Sequence, residues 1–327
     1  MSNFRWGILG TGGIAQAFVK DLTLANGHQV VAVGSRTLTK AEECTQSLPG
    51  AVAYGSYNEL VNDAHVDAIY IATPHPSHKE NTLLALNASK PVLCEKPFAI
   101  SAVEAKEMFD AARINKVALL EAMWTRYLPH IAHVRQIIAS GVLGPIQNVQ
   151  ADHGQRLADK GIERLVDPKL AGGALLDLGI YPVSFAHLVL GAPTKISASA
   201  VMTARGVDAQ TSAIFDFAHG AQAVITTNMI AQTPSRAVIS GLLGRLEIDS
   251  VFYNPTSMRL VLHDGSITQY PHTYQGHGLR EQAIEMARVV RAGLLESPLM
   301  PWSETLAVME SMDEIREQIG LTYPFEN

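Results

Sequence analysis

Short apolar runs alternate with segments of helical spacing through the first third of the chain. The apolar runs are continuous rather than alternating, which is typical of parallel strands covered on both faces. These predicted strands lie at residues 6–9, 29–33, 66–71, 91–94 and 117–120. The helical patterns between them lie at residues 14–24, 40–47, 78–86 and 102–112. Right-handed crossovers between such strands produce a doubly wound parallel sheet.

The pattern changes after about residue 122, where β-branched and alternating runs become longer. The predicted strands lie at residues 146–152, 196–203, 209–217, 221–230 and 236–239, with turns at His219-Gly220 and Asp264-Gly265. Helical patterns lie at residues 130–140, 175–190, 279–294 and 303–319. We therefore predict two domains, residues 1–122 and 123–327, the second an antiparallel sheet with helices on one side.

Charge and composition narrow the classes of function. The chain has 25 Lys and Arg against 31 Asp and Glu, so no basic excess favours nucleic-acid binding. Its two cysteines cannot form a disulfide scaffold or a four-cysteine zinc site. The longest apolar stretches fall short of the roughly 18 residues that a membrane span needs, and no signal sequence is recognisable. We expect a cytoplasmic protein without a membrane segment or a metal.

The strongest local motif is Gly10-Thr11-Gly12-Gly13-Ile14-Ala15, which follows a strand and opens a helix. Gly10 permits a tight turn, Gly12 lets the backbone approach a pyrophosphate, and Ala15 allows close packing of the helix on the strand. The helix N-terminus offers N–H donors to an anion. Taken alone, the motif is also compatible with an ordinary glycine-rich turn.

The end of the second predicted strand selects the nucleotide. NAD sites usually carry a carboxylate here, which binds the ribose 2′-hydroxyl group. This chain has Gly34-Ser35-Arg36 instead, with Lys40 one helical turn further on. A hydroxyl group and two cations suit a 2′-phosphate, so we predict NADP rather than NAD. A solvated cationic loop is the alternative.

Three further clusters are candidates for chemistry: Thr73-Pro74-His75-Pro76-Ser77-His78, Cys94-Glu95-Lys96-Pro97-Phe98, and the glycine-rich segment 172–182. On residue type alone, His75 and His78 are loop or capping residues, because no third metal ligand accompanies them. The Glu95–Lys96 pair alone is compatible with a surface ion pair. On a helix, Asp177 and Tyr181 share one face, which also suits a buried core helix.

Together, residues 10–15, Glu95-Lys96-Pro97 and residues 172–181 resemble the Gfo/Idh/MocA oxidoreductase family in order and spacing, over essentially the whole chain. The resemblance implies an N-terminal Rossmann domain, a C-terminal α/β domain with an open, mostly antiparallel sheet, and a catalytic role for Lys96. Most members have His where Tyr181 stands. A tyrosine at this position resembles the subgroup of dimeric dihydrodiol dehydrogenases and NADP-dependent D-xylose dehydrogenases, in which the tyrosine is the acid/base. The segments 75–78, 121–126 and 298–305 resemble the same subgroup.

The expected chemistry is removal of a hydroxyl proton as hydride leaves for the nicotinamide. A tyrosine with an ordinary pKa of about 10 needs a nearby cation to act as a base near neutrality, and Lys96 is the expected cation. Asp177 is expected either to hold Lys96 charged and in place or to share in a proton relay. The resemblance further implies that Trp124 and Tyr181 contact the substrate; a buried interface tryptophan is the alternative for Trp124. His153 is a further candidate for the substrate pocket, with a structural histidine as the alternative. The predicted cofactor contacts are Gly10, Thr11, Gly12, Gly13, Ile14, Ser35, Arg36, Lys40, Thr73, Pro74, His75, His78, Glu95, Lys96 and Arg126.

We therefore predict an NADP-dependent oxidoreductase that transfers hydride between a cyclic polyol, either an aldose or a vicinal dihydrodiol, and nicotinamide. An NADPH-dependent reductase of keto-sugars or dicarbonyls is the alternative within the same class. A non-catalytic NADP-sensing regulatory protein is the alternative in a different class. The resemblance also implies a homodimer formed through the C-terminal sheet.

Overall fold

The computed structural model describes residues 3–326 of the chain. They fall into two compact units. The first combines Met1–Tyr127 with Gly276–Thr305, and the second combines Leu128–Gln275 with Leu306–Asn327. Both units are α/β, which confirms the predicted fold class. The return of residues 276–305 to the first unit is a long-range feature that the sequence pattern does not predict.

The sheet of the first unit is parallel and has six strands in the order β3-β2-β1-β4-β5-β6. The strands are β1 Phe4–Leu9, β2 His28–Gly34, β3 Val52–Tyr54, β4 Ala68–Ile71, β5 Val92–Glu95 and β6 Leu119–Ala122. This is the Rossmann order, with a switch of direction between β1 and β4. The sequence pattern misses β3, because this edge strand has only three residues and is only partly buried.

Helices connect these strands. They are α1 Gly13–Leu22, α2 Leu38–Thr45, α3 Tyr57–Val61, α4 His78–Asn87 and α5 Ala102–Asn115. The hydroxyl groups of Ser56 and Ser101 accept hydrogen bonds from the Glu59 and Glu104 N–H groups, so serine caps begin α3 and α5. The four helices predicted between these strands are all present, and the pattern misses only the short α3.

The sheet of the second unit has eight strands in the order β14-β13-β12-β11-β7-β10-β9-β8. The strands are β7 Ile146–Gly154, β8 Lys195–Met202, β9 Asp208–Asp216, β10 Gln222–Asn228, β11 Ala237–Gly241, β12 Gly244–Ile248, β13 Met258–Leu262 and β14 Ile267–Tyr270. β7 and β10 pair in parallel and the other neighbours are antiparallel, so the expected mostly antiparallel sheet is confirmed. Buried and exposed positions alternate along β9, which leaves one face open.

The helices of the second unit are α6 Pro129–Ala139, α7 Glu163–Val166 and α8 Ile180–Leu190. A π-helical turn, Leu175–Gly179, leads directly into α8. The predicted helix over residues 175–190 is therefore present, with a wider first turn. Such π turns are frequent at functional sites, because the extra residue in the turn re-aims the side chains that follow.

One segment, Pro168–Leu190, is long and apolar enough to cross a membrane. The expectation that no apolar stretch approaches this length is wrong for this segment. In its most apolar window 83% of the residues are buried inside the protein, as in the core helix of a globular domain.

The last helices are α9 Arg280–Arg291, in the first unit, and α10 Trp302–Ile319. Asp21 on α1 fixes the segment that enters α9. Its buried carboxylate accepts hydrogen bonds from the backbone N–H groups of His277, Gly278 and Arg280 at 2.8, 3.0 and 2.9 Å. These N–H groups would otherwise lack acceptors at a helix N-terminus.

Replacement of Asp21 tests this anchor. Asp21→Ala leaves three N–H donors without their charged acceptor, so we expect the free energy of unfolding to fall by about 3 kcal/mol in urea titrations. Asp21→Asn keeps one acceptor and should lose roughly half as much. Asp110→Ala, which removes an exposed carboxylate of α5, is the control and should leave the urea midpoint unchanged. Equal midpoints for Asp21→Ala and the control would contradict the anchor.

Candidate active site

The turn after β1 leaves space for an anion. Gly10 has φ +107°, and a Cβ there would lie 2.6 Å from the Ala72 carbonyl oxygen, so the position requires glycine. At Gly12 and Gly13 a Cβ would meet nothing within 4 Å among the described residues. Gly12 is the N-cap of α1, and the described residues place no acidic side chain in the first turn. This open cradle at a helix N-terminus fits a dinucleotide pyrophosphate.

The next predicted nucleotide contacts follow the ends of β1 and β2, which are neighbouring strands in the sheet. Thr11 is half-buried and Ile14 is exposed beside the turn. Ser35 is buried at the end of β2, whereas Arg36 and Lys40 are exposed just beyond it. A hydroxyl group followed by two solvent-facing cations fits a 2′-phosphate, because both cations retain freedom to reach an anion.

His78 braces two loops at the same edge of the sheet. Its Nδ1 lies 2.9 Å from the Pro97 carbonyl oxygen and its Nε2 lies 2.9 Å from the Thr73 carbonyl oxygen. Burial lowers the pKa of His78, although both carbonyl groups favour its charged form. The ring of His75 lies 5.7 Å from that of His78, and Pro74 is exposed beside it. Thr73, Pro74, His75 and His78 thus form one braced loop; direct cofactor contacts from them stay a prediction.

Glu95 is buried at the end of β5, so the surface ion pair considered as an alternative is wrong. The Tyr70 hydroxyl group donates a hydrogen bond to one carboxylate oxygen, and the Lys96 N–H group donates to the other at 3.1 Å. These bonds fix the backbone of Lys96 at the carboxyl end of the sheet, where open α/β folds bind ligands.

A short 3₁₀ turn, Trp124–Tyr127, follows β6 and buries Trp124 and Arg126. Arg126 Nη1 lies 2.5 Å from Glu304 Oε1, and the Trp124 ring lies 4.9 Å from the ring of His277. Arg126 therefore has a carboxylate partner within the first unit. A contact between Arg126 and the cofactor stays a prediction.

Glu121, the third residue of β6, is a buried acid in the first unit. Its Oε2 accepts a hydrogen bond from Thr305 Oγ1 at 2.9 Å, whereas its buried Oε1 has no hydrogen-bond partner among residues 3–326. Burial raises the pKa of Glu121 to about 7, and the Thr305 hydroxyl group and Arg126 offset this only in part.

In the second unit, Tyr181 belongs to an aromatic cluster. Its ring stacks on Tyr253 at a centroid distance of 4.6 Å and meets His153 edge-on at 5.3 Å. His153 Nδ1 lies 3.1 Å from the Leu178 carbonyl oxygen, and the side-chain amide nitrogen of Gln155 lies 2.9 Å from His153 Nε2. A carbonyl group only accepts and an amide nitrogen only donates, so this assignment makes His153 a neutral ring protonated on Nδ1.

Asp177 lies in the π-helical turn, about one turn before Tyr181 along the helix. Arg164 Nη1 donates to Asp177 Oδ1 at 2.9 Å, so its carboxylate has a cationic partner inside the second unit. The structure thus brings Asp177, Tyr181 and His153 to one end of α8, as the sequence pattern indicates for the first two.

Sequence reasoning missed several residues that contact the predicted ones, among them Gln155, Arg164, Tyr253 and His277. Each contacts a predicted site residue in its own unit. Gln155 and Tyr253 also bond each other, at 2.8 Å. Gln155 follows His153 by two residues and Arg164 lies in the short helix α7, but neither carries a recognised motif. Tyr253 and His277 come from segments far along the chain from their partners, so no local pattern reveals them. Among residues 3–326, no group of three or more His, Cys, Asp or Glu side chains is arranged to hold a metal ion.

Comparison with known families gives two matches that follow each other along the chain. The model described as "Oxidoreductase family, NAD-binding Rossmann fold" matches residues 4–122. The model described as "GFO/IDH/MocA C-terminal domain" matches residues 131–247.

Relatives of known name match along nearly the whole chain. D-xylose 1-dehydrogenase (NADP(+)) of Hypocrea jecorina is 38% identical over 98% of this chain and 93% of its own length. Trans-1,2-dihydrobenzene-1,2-diol dehydrogenase of Danio rerio is 38% identical over 98% of both.

Solved structures agree in fold. A 3-ketoreductase from Actinomadura kijaniata, in complex with NADP and TDP-benzene, is 27% identical with a TM-score of 0.86, covering 97% of this chain and 98% of its own. An aldose-aldose oxidoreductase from Caulobacter crescentus, 24% identical over 97% of both chains, has a TM-score of 0.88 and shares the fold.

The buried acid Glu121 should make stability depend on pH. Between its ordinary pKa of about 4.3 and its folded value of about 7, the folded chain binds more protons at this group than the unfolded chain does. The free energy of unfolding therefore falls as the pH rises through this window, by up to about 4 kcal/mol from this group. In Glu121→Gln we expect a correspondingly smaller fall in urea titrations between pH 5 and 7.5. Glu310→Gln, at an exposed position, is the control, and equal slopes in both variants would contradict the assignment.

Proposed function

Because the chain belongs to the Gfo/Idh/MocA oxidoreductase family, we propose that it is an NADP-dependent dehydrogenase of cyclic polyols, either aldoses or vicinal dihydrodiols. The family makes it an oxidoreductase, and the named relatives act on CH–OH groups. The observation that carries the finer proposal is the buried Tyr181, which packs with Tyr253 and His153 in one cluster of three mutually contacting rings at one end of α8. We propose a cytoplasmic location, as the sequence indicates.

NADP is the proposed cofactor. The open cradle at Gly12 and Gly13 would hold its pyrophosphate, and Ser35, Arg36 and Lys40 would hold its 2′-phosphate. Bound NADP supplies hydride acceptance, and the protein supplies orientation and charge. The Hypocrea jecorina relative is named for NADP, and the Actinomadura kijaniata structure contains it, which supports this choice.

In the proposed mechanism, Tyr181 Oη takes the hydroxyl proton of the substrate. A phenol with a pKa near 10 is a poor base at neutral pH, so a cation must stabilise its charged form. We propose Lys96 for this role, and Asp177 as a group that orients charge near the tyrosine. A lowering of the phenol pKa by roughly 2 to 3 units requires about 3 to 4 kcal/mol, which one close cation supplies in a partly dry site.

The aromatic side chains support a ring-shaped substrate. Tyr253 and Tyr181 present stacked rings in the second unit, and Trp124 presents one in the first. Aromatic faces pack well on the apolar face of a sugar or of a dihydrodiol. His153 and Gln155 add hydrogen-bonding groups suited to hydroxyl substituents. A reductase acting on keto-sugars is the second candidate, because the same tyrosine returns the proton in the reverse direction; the 3-ketoreductase neighbour favours keeping it.

We also propose a homodimer formed through the sheet of the second unit. Val201, Ile214 and Val224 are exposed on β8, β9 and β10, and Val224 and Ile214 pair across adjacent strands. An apolar sheet face of this kind is typical of an interaction surface.

An assay of nicotinamide absorbance at 340 nm tests the function. Purified protein is given NADP⁺ or NAD⁺ with D-xylose, D-glucose, inositols and trans-dihydrodiols, and NADPH with keto-sugars and dicarbonyls. We expect NADPH formation with an aldose or a dihydrodiol. Turnover with carbonyl substrates alone would establish the reductase instead. Silence across the panel with intact NADPH binding would overturn the enzyme proposal in favour of a sensor.

The same assay tests the two catalytic residues. Tyr181→Phe and Lys96→Met should each lower turnover by at least about 100-fold, because proton transfer and its charge stabilisation are lost. NADPH binding, measured by fluorescence, should remain. Tyr270→Phe and Lys106→Met are matched controls outside the proposed site and should keep full turnover. Near-normal turnover in Tyr181→Phe or Lys96→Met would remove that residue from the mechanism.

A valine at Gly12 tests the cradle independently of catalysis. Its side chain meets no described atom within 4 Å of the new Cβ and the backbone there has φ −72°, so Gly12→Val should fold normally. The branched side chain fills the proposed pyrophosphate space, so we expect the Kd for NADPH to rise at least about 10-fold, which is 1.4 kcal/mol. Gly10→Ala should instead lower the melting temperature, because φ +107° is strained for alanine. Unchanged NADPH affinity in Gly12→Val would contradict the cradle.

A further inference from the structure

A buried carboxylate lies beneath the start of the helix that carries Tyr181. Asp208, the first residue of β9, is 0% exposed. Its chain neighbours Val207 and Ala209 belong to an apolar cluster that includes Ala174 and Leu178 of the helical segment. Burying a charge among apolar side chains is unfavourable unless the charge has strong partners. The position therefore requires an explanation.

The partners of Asp208 are at the N-terminus of that helix. The Leu175 N–H group donates to Asp208 Oδ2 at 2.8 Å, and Thr211 Oγ1 donates to the same oxygen at 2.7 Å. Leu175 begins the π-helical turn that contains Asp177 and leads directly into Tyr181. A carboxylate here satisfies a terminal N–H group and lies at the positive end of the helix dipole.

The two glycines before the helix are closely packed, Gly173 against this carboxylate and Gly172 against helix α7. Gly173 has φ +122°, and a Cβ there would lie 2.2 Å from Asp208 Oδ1. A Cβ at Gly172 would lie 2.7 Å from the Leu165 carbonyl oxygen. The Tyr323 hydroxyl group donates to the Gly172 carbonyl oxygen at 3.0 Å. The entry to the helix is thus held by strand β9, helix α7 and the C-terminal segment together.

We propose that Asp208 is a positioning residue for Tyr181: it fixes the first turn of the helix, and with it the direction from which the phenol meets the substrate. This inference rests on the proposed function and deepens it. Tyr181 follows Leu175 by less than two helical turns, so a change at the first turn moves the phenol directly. A displacement of about 1 Å costs roughly 100-fold in rate when the reacting groups lose alignment.

The charge of Asp208 is part of the arrangement. Burial raises its pKa to about 6, and the donors Thr211 and Leu175 N–H offset part of that rise. At pH 7.5 the group is mostly ionised and accepts both donors. Tyr323, the titratable side chain that faces it from the C-terminal segment, has a raised pKa through its own burial and the nearby Asp208 charge, and so stays neutral.

Three variants separate positioning from folding. Asp208→Asn keeps an acceptor for Leu175 N–H in the same shape, Asp208→Ala removes it, and Thr211→Val removes only the second donor. Asp216→Ala, at the other end of β9, is the matched control. Each is assayed at pH 7.5 for kcat, KM of the polyol, the Kd of NADPH and the melting temperature.

We expect kcat of Asp208→Ala to fall at least about 10-fold with the Kd of NADPH unchanged. Asp208→Asn should recover kcat to within about 3-fold of the wild type, and Thr211→Val should lie between the two. Asp216→Ala should match the wild type. Unchanged kcat in Asp208→Ala would overturn the proposal. An equal loss of kcat and melting temperature in Asp208→Asn and Asp208→Ala would also overturn it, because the acceptor would then not matter.

Amide hydrogen exchange of the peptide spanning residues 173–181 provides a readout independent of turnover. We expect faster exchange in Asp208→Ala, near-normal exchange in Asp208→Asn, and no change in Asp216→Ala. If the wild type turns over none of the substrates, the proposed function fails while the exchange result still decides whether Asp208 fixes the turn. If the wild type is active and exchange in Asp208→Ala is unchanged, the role of Asp208 fails alone.

Discussion

The candidate site depends on buried carboxylates that accept hydrogen bonds from backbone N–H groups at turns of the chain. Asp21 does this at the entry to α9, Glu95 at the Lys96 loop and Asp208 at the start of the helix that carries Tyr181. A buried charge is stable only where such donors converge, and N–H groups at helix starts and loops require acceptors. The carboxylate supplies the acceptor that the N–H groups need, and the N–H groups stabilise the buried charge. The loops and helix starts that carry the candidate site residues are therefore fixed, although they make no regular helix or sheet hydrogen bonds at these points.

The parallel sheet could be predicted from the sequence because its signals are local. Continuous apolar runs, helical spacing and the glycine motif after β1 all lie within a few residues of the structure that they predict. The edge strand β3 was not predicted, because three partly exposed residues are too few to show a hydrophobic periodicity. The return of residues 276–305 to the first unit was not predicted for a different reason. The tertiary fold brings Asp21 and His277 together, and no local sequence pattern encodes that contact.

The residues of the candidate site likewise fall into those that a local sequence pattern identifies and those that only the tertiary fold brings together. The residues that form the cradle are contiguous, so glycine spacing identified them, and the family resemblance added Lys96, Asp177 and Tyr181. Tyr253 reaches Tyr181 from a distant loop, Arg164 reaches Asp177 from the short helix α7, and Asp208 reaches Leu175 from a strand. A lone aspartate at the start of a strand resembles any turn residue. Its proposed role rests on the bond from the Leu175 N–H group and on Gly173, where a Cβ would lie 2.2 Å from Asp208 Oδ1.

The tyrosine at position 181 sets an electrostatic requirement that a histidine would not. A histidine base begins neutral near pH 7 and ends as a cation, whereas a tyrosine base begins as an anion and must be stabilised before it accepts a proton. Within the second unit, the Leu178 carbonyl group and Gln155 hold His153, and Arg164 pairs with Asp177. These contacts position the neighbours of the phenol. A tyrosine base also needs a cation that stabilises its charged form. We propose Lys96 for that role and expect its loss to be as severe as the loss of the phenol itself.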